Sequence, residues 1–182
     1  KTKNVKGQNQ REEVYRVDNI IEKIRQSVES NAKSEVEKGN NFCNWILKYM
    51  FERTDDEIIS CTEVSGKSDN SVDGWYEENN ILYIIQAKYN TSHKWSAVTN
   101  FIKDMERLLM NPYKVIGSND ALYDLSAKIE EYMKKNKSIE LYYVTDSTFT
   151  SDENNKIEWE KEKFEQKYKN VILYIYDINS IK

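Results

Sequence analysis

Apolar residues recur at three- and four-residue steps through Val14, Val17, Ile21, Ile24 and Val28, the spacing that lays one stripe along a helix, and predict a helix over 11–33. A second stripe, Val36, Cys43, Ile46, Leu47, Met50 and Phe51, predicts another helix ending near Arg53, before the polar turn Thr54-Asp55-Asp56. The period then switches. From Glu57 to Val64 apolar and polar positions alternate and β-formers abound, so a strand is expected there.

A loop at Ser65 to Asn70 leads to an extended segment, Val72 to Glu77, and then to the apolar run Ile81 to Tyr89. Asn79-Asn80 between these two segments signals a hairpin, because asparagine tolerates the left-handed backbone that tight turns require. Trp95, Val98, Phe101, Ile102, Met105, Leu108 and Leu109 mark an amphipathic helix stopped at Asn111-Pro112. Leu122, Leu125, Ile129 and Met133 mark the next, followed by a strand at Ile139 to Thr145. A mostly charged helix over 155–169, with Ile157, Trp159, Phe164 and Tyr168 as its thin apolar side, and a strand at Val171 to Tyr176 complete the chain. This order predicts an α/β fold, a mixed β-sheet flanked by helices on both faces, with the 11–33 helix as an N-terminal extension.

At 182 residues the chain is about one domain long, enough for a real core, and its 12% aromatic content opposes wholesale disorder. The apolar runs are too short for a membrane span. Residues 1–10 carry Lys1, Lys3 and Lys6 with almost nothing apolar and read as a flexible basic arm. The start at Lys1, with no charged-then-apolar leader, suggests a domain excised from a longer protein. Twenty-seven basic against 31 acidic residues leave a net charge of −4, which removes a globally basic nucleic-acid surface as a class and leaves a local one open. Cys43 and Cys61 lie far apart in apolar surroundings, so buried reduced thiols and a cytoplasmic protein are expected.

Chemistry concentrates in Ser71-Val72-Asp73-Gly74-Trp75 and Ile84-Ile85-Gln86-Ala87-Lys88-Tyr89. On a strand, residues two apart face one side and lie about 6.7 Å apart, so Gln86 and Lys88 point together. If the hairpin sets Asp73 opposite them, a carboxylate, an amide oxygen and an ammonium converge at the sheet's end. That set suits phosphodiester hydrolysis with a hard cation, Mg²⁺ or Mn²⁺, held by Asp73 as main ligand with Gln86, and with Lys88 acting on water or on the charge building at phosphate. The bland alternative is turn chemistry at Asp73-Gly74 and a solvated strand end at Gln86 and Lys88, but Ile81 to Ile85 is too apolar for a solvated edge.

At these residues the sequence resembles the PD-(D/E)XK nuclease superfamily, whose signature is an acid, a hairpin, then an acid or glutamine two residues before a lysine. Val72-Asp73-Gly74 with Ile85-Gln86-Ala87-Lys88-Tyr89 is most similar to Mrr-type restriction endonucleases and abortive phage infection resistance proteins. The resemblance covers 34–182 and implies a restriction-endonuclease-like α-β-β-β-α-β core, with Asp73 the metal-binding acid, Gln86 the second-acid position and Lys88 the catalytic lysine. It implies a metal-dependent endonuclease acting on DNA in preference to RNA, within a larger prokaryotic defence or restriction protein. A homodimer and further domains are open as partners. The alternatives are an inactive nuclease-like module binding nucleic acid or protein, and a structural α/β domain.

Gln86 is neutral, so such a site binds metal more weakly than one with two carboxylates. Glu37 and Asp69 could add a carboxylate, though solvated surface roles suit both better, and His93 reads as a helix-start polar residue. Lys88, Lys94, Lys103 and the arm are the phosphate-contact candidates. Core packing is the first reading of Trp75, Tyr83, Tyr89, Trp95, Tyr142 and Tyr143.

Overall fold

The computed structural model describes residues 19–64, 70–89, 94–115 and 120–181; the basic arm, residues 11–18 of the expected 11–33 helix, Asp69 and His93 lie outside them. In chain order come α1 (19–29), α2 (Glu35–Tyr49), α3 (Asp55–Cys61), β1 (Gly74–Glu78), β2 (Ile81–Lys88), α4 (Lys94–Met110), a 3-10 turn (Pro112–Val115), α5 (Leu122–Lys134), β3 (Ser138–Thr145), α6 (Ser151–Lys167) and β4 (Val171–Tyr176).

The four strands form one sheet in the order β1-β2-β3-β4. β1 runs antiparallel to β2, whereas β2, β3 and β4 are parallel. The hairpin turn is Asn79-Asn80, with φ of 52° and 61°. Two left-handed residues in a two-residue loop make the turn whose twist matches the flanking strands. Each parallel connection is helical, as a parallel pair requires.

Alternation along β2 assigns the faces. Leu82 and Ile84 pack with α4, α5 and α6 around Phe101, Met105, Leu125, Ile129 and Phe164. Ile85 and Ala87 pack with α1, α2 and α3 around Ile24, Phe42, Cys43, Ile46 and Ile58. Helices therefore cover both faces of a mixed sheet, the expected α/β class. Among the described residues, no helix is long and apolar enough to cross a membrane.

The strand expected over 57–64 is instead α3. Thr54 caps it: its hydroxyl accepts from the Glu57 N–H while the Glu57 carboxylate accepts from the Thr54 N–H. Three acids occupy the first turn, where the helix dipole favours negative charge. The buried residues are Ile58 and Cys61, three apart, and Ile59 is 67% exposed, so the period is helical after all. The last helix begins at Ser151, ahead of the expected Asn155, because Thr150 and Glu153 form a second capping box. Trp159, assigned to its apolar side, is exposed, with the Lys163 ammonium 3.9 Å from the ring centroid.

Both cysteines are buried and free. Asp177, at the end of β4, is buried and accepts hydrogen bonds from Phe149, Asn179 and Ser180, which fixes the loops at that end of the sheet. On the α1–α3 face, Tyr76, Tyr83, Tyr142 and Tyr174 stack one per strand, the Tyr76–Tyr83 and Tyr142–Tyr174 centroids being 4.5 and 4.6 Å apart. Phe51 meets the Tyr142 ring edge-on at 4.8 Å.

Candidate active site

β1 begins at Gly74, opposite Ile85, while β2 continues to Lys88. The Ala87 N–H thus faces past the end of its partner strand and needs an acceptor. Asp73 supplies it. Its backbone N–H donates to the Ile85 carbonyl at 2.9 Å and its Oδ2 accepts from the Ala87 N–H at 2.8 Å. These two bonds flank Gln86, whose side chain is buried at 2% exposure.

Gln86 and Lys88 follow Leu82 and Ile84 on the α4 side of the sheet. Lys88 pairs in register with Thr145, the last residue of β3, so it stands at the carboxyl ends of the parallel strands. Open α/β sheets bind ligands outside those ends. Asp73 also acts on the opposite face: the Cys43 thiol is pushed well up, first by burial and then by the Asp73 carboxylate. Cys61 is pushed up to about 11 by burial. Neither thiol is set up as a nucleophile.

The approach to Asp73 is bent. Asn70 and Ser71 have φ of 52° and 64°, a left-handed pair in which Ser71 is the costlier residue. The Ser71 hydroxyl donates to Asp104 Oδ2 on α4 at 2.6 Å. Beside this contact lies a cleft of about 410 Å³ lined by Ser71, Lys88, Ala97, Asn100, Lys103, Asp104 and Arg107. Arg107 reaches Asp104 Oδ1 at 3.3 Å.

Comparison of the chain with protein-family models, curated proteins and solved structures finds no match.

The other candidates fall elsewhere. Glu37 is exposed at the start of α2, its Oε2 accepting from the Lys33 N–H. Asn44 on α2 lines a separate hollow of about 570 Å³ beside Trp45, Lys48 and Asp55. Lys94 donates to the Thr148 carbonyl. Tyr142 and Tyr143 are buried and Trp75 and Trp95 pack against the core, the structural reading of these aromatics. Sequence reasoning singled out neither Arg107 nor Asp104; the i, i+3, i+7 spacing of Asn100, Lys103 and Arg107 was the available signal.

The Asp73 carboxylate and the Gln86 amide offer oxygen ligands, the kind a hard cation takes, and Mg²⁺ is commonly held by one or two carboxylates with waters and substrate phosphates completing its shell. Among the described residues, no three His, Cys, Asp or Glu side chains gather as a metal site.

Proposed function

We propose that this chain is a metal-dependent endodeoxyribonuclease domain with a restriction-endonuclease-like core, working within a prokaryotic restriction or anti-phage defence protein. The observation that carries the reading is Asp73 bonded to β2 on both sides of Gln86, with Lys88 two residues on at the carboxyl end of the strand. The four-stranded mixed sheet between two helical layers supports it as well. The element order departs from the α-β-β-β-α-β pattern, since α3 replaces the first strand and β4 follows α6.

Asp73 and Gln86 would hold Mg²⁺ or Mn²⁺, whose contribution when bound is to polarise a phosphoryl oxygen and acidify water. Gln86 adds an amide oxygen without charge, which leaves room for the phosphate's own negative charge. The Lys88 ammonium faces the substrate as a compact cation and offsets the charge that builds on the phosphoryl oxygens as the bond to the leaving oxygen breaks. The backbone bond anchors Asp73 and the Ala87 N–H orients its carboxylate before substrate arrives, which lessens the ordering needed at the moment of reaction.

A second reading, a nucleic-acid-binding module without catalysis, is favoured by the same Asp73 Oδ2, because one of its lone pairs is already spent on the Ala87 N–H. Nicking of supercoiled plasmid in Mg²⁺ or Mn²⁺ decides between the two. The wild type nicks, and Asp73→Asn and Lys88→Ala are slower by about a hundredfold or more. Equal nicking by all three rejects the catalytic assignment; DNA binding without nicking establishes the second reading.

A further inference from the structure

We propose that the exposed face of α4, together with Lys88, is a groove that tracks the phosphodiester backbone of nucleic acid. The inference rests on the nuclease reading for its role and joins that site through Lys88, since the cleft lining includes neither Asp73 nor Gln86, and it extends the reading to how the strand is held. Asn100, Lys103 and Arg107 fall at i, i+3 and i+7, so they line one face of α4, next to the stripe of Phe101, Met105 and Leu108 that the helix buries. All three line the same cleft as Lys88 and Ser71.

Three cations meet one acid in this cleft. That acid, Asp104, accepts from the Ser71 hydroxyl and faces the Arg107 guanidinium, so the cleft lining keeps two net positive charges. Lys103 is exposed and the Arg107 side chain is 65% exposed, leaving both able to meet a ligand. From Asn100 to Arg107 the helix rises about 10 Å. One strand of duplex DNA places about three phosphates over that length. An amide and two cations spaced along α4, with Lys88 at the catalytic end, match a linear polyanion better than a small compact one. The chain as a whole carries −4, so this patch attracts phosphate against the background charge and its binding must fall steeply with salt.

The test is binding without divalent metal, by fluorescence anisotropy across a salt series, to a labelled DNA duplex, its single strand and an RNA of the same sequence. Lys103→Gln with Arg107→Gln is compared with Lys134→Gln with Lys135→Gln. The second pair removes the same charge at the end of α5, where the chain enters β3 at the far end of the sheet from Lys88. The cleft pair loses about tenfold or more in affinity and about 2 in salt slope, whereas the α5 pair stays near wild type. The probe that shows the largest difference identifies the strand the groove takes. Equal losses in both pairs, a wild-type slope in the cleft pair, or no binding of any probe by the wild type overturns the groove. Asp73→Asn keeps the two readings apart: if it cuts like wild type while the cleft pair loses affinity, the groove stands and the catalytic reading fails. If Asp73→Asn is dead and the cleft pair binds normally, the reverse holds.

Discussion

Ser71 and Asp104 tie the segment entering β1 to α4 through a 2.6 Å hydrogen bond, across 33 residues of sequence. The bond holds Ser71 in a left-handed conformation and so aims the chain toward Asp73.

Ser71→Ala loses that bond and keeps the strained φ, lowering stability by about 1–2 kcal/mol. Ser71→Gly loses the same bond but relaxes the backbone, so it is more stable than Ser71→Ala by about 1 kcal/mol. Urea unfolding of the two variants checks the ordering, and an Ala variant as stable as the Gly variant refutes the strain.

Thr54→Ala removes the cap of α3 and costs about 1 kcal/mol near neutral pH. The Glu57 carboxyl is held below its ordinary value of 4.5, first by the Thr54 backbone N–H and then by the Thr54 hydroxyl. A depressed carboxyl stabilises the fold above its ordinary range, and that contribution is lost as pH falls through the folded value. The gap between wild type and Thr54→Ala in thermal melting therefore narrows on acidification below that range. The backbone bond survives in Thr54→Ala, so the narrowing reads the bond from the Thr54 hydroxyl to the Glu57 carboxylate, and a constant gap rules that bond out.

Burial raises the phenols of Tyr76, Tyr83, Tyr142, Tyr174 and Tyr176 above their ordinary value of 10.0. Stability from these groups is present below that value and is lost as pH rises beyond it, because the unfolded chain ionises first. Alkaline spectrophotometric titration of the folded chain then shows a late-ionising group of tyrosines that joins the rest in urea. Tyr142→Leu, which removes the stack on Tyr174 and the edge contact with Phe51, lowers stability by about 2 kcal/mol.

Gln86→Glu keeps the shape of the side chain and buries a charge at a position 2% exposed. In EDTA this destabilises the chain by roughly 2–4 kcal/mol. Under the proposed function Mg²⁺ recovers much of the loss by binding the folded state, in proportion to its concentration over its dissociation constant. Identical melting in EDTA and Mg²⁺ shows that no ion binds at Gln86.

Most of the fold is written in periodicity. The Asn79-Asn80 turn, the runs of β2, β3 and β4 and the stop before Pro112 all stand where pattern and turn chemistry put them. Residues 57–64 misled because Ile58 and Ile59 are β-formers, and composition outweighed Thr54-x-x-Glu57, the capping signal that governs that segment. At the candidate site, the shared side of Gln86 and Lys88 is a property of one strand and could be read directly. The bond between Asp73 and Ala87 depends on where β1 begins, and the meeting of Ser71 with Asp104 on how α4 crosses the sheet. Neither register nor crossing is encoded locally.

Asp73 completes the hairpin whatever chemistry it serves, since the Ala87 amide would otherwise be orphaned. The fold needs an acceptor at 73 whether or not the chain cuts, and asparagine would serve. Architecture alone accounts for a polar residue there. Position 88 is the cleaner witness: its backbone pairs with Thr145 whatever side chain it bears, so replacing Lys88 tests the proposed chemistry without touching the ladder.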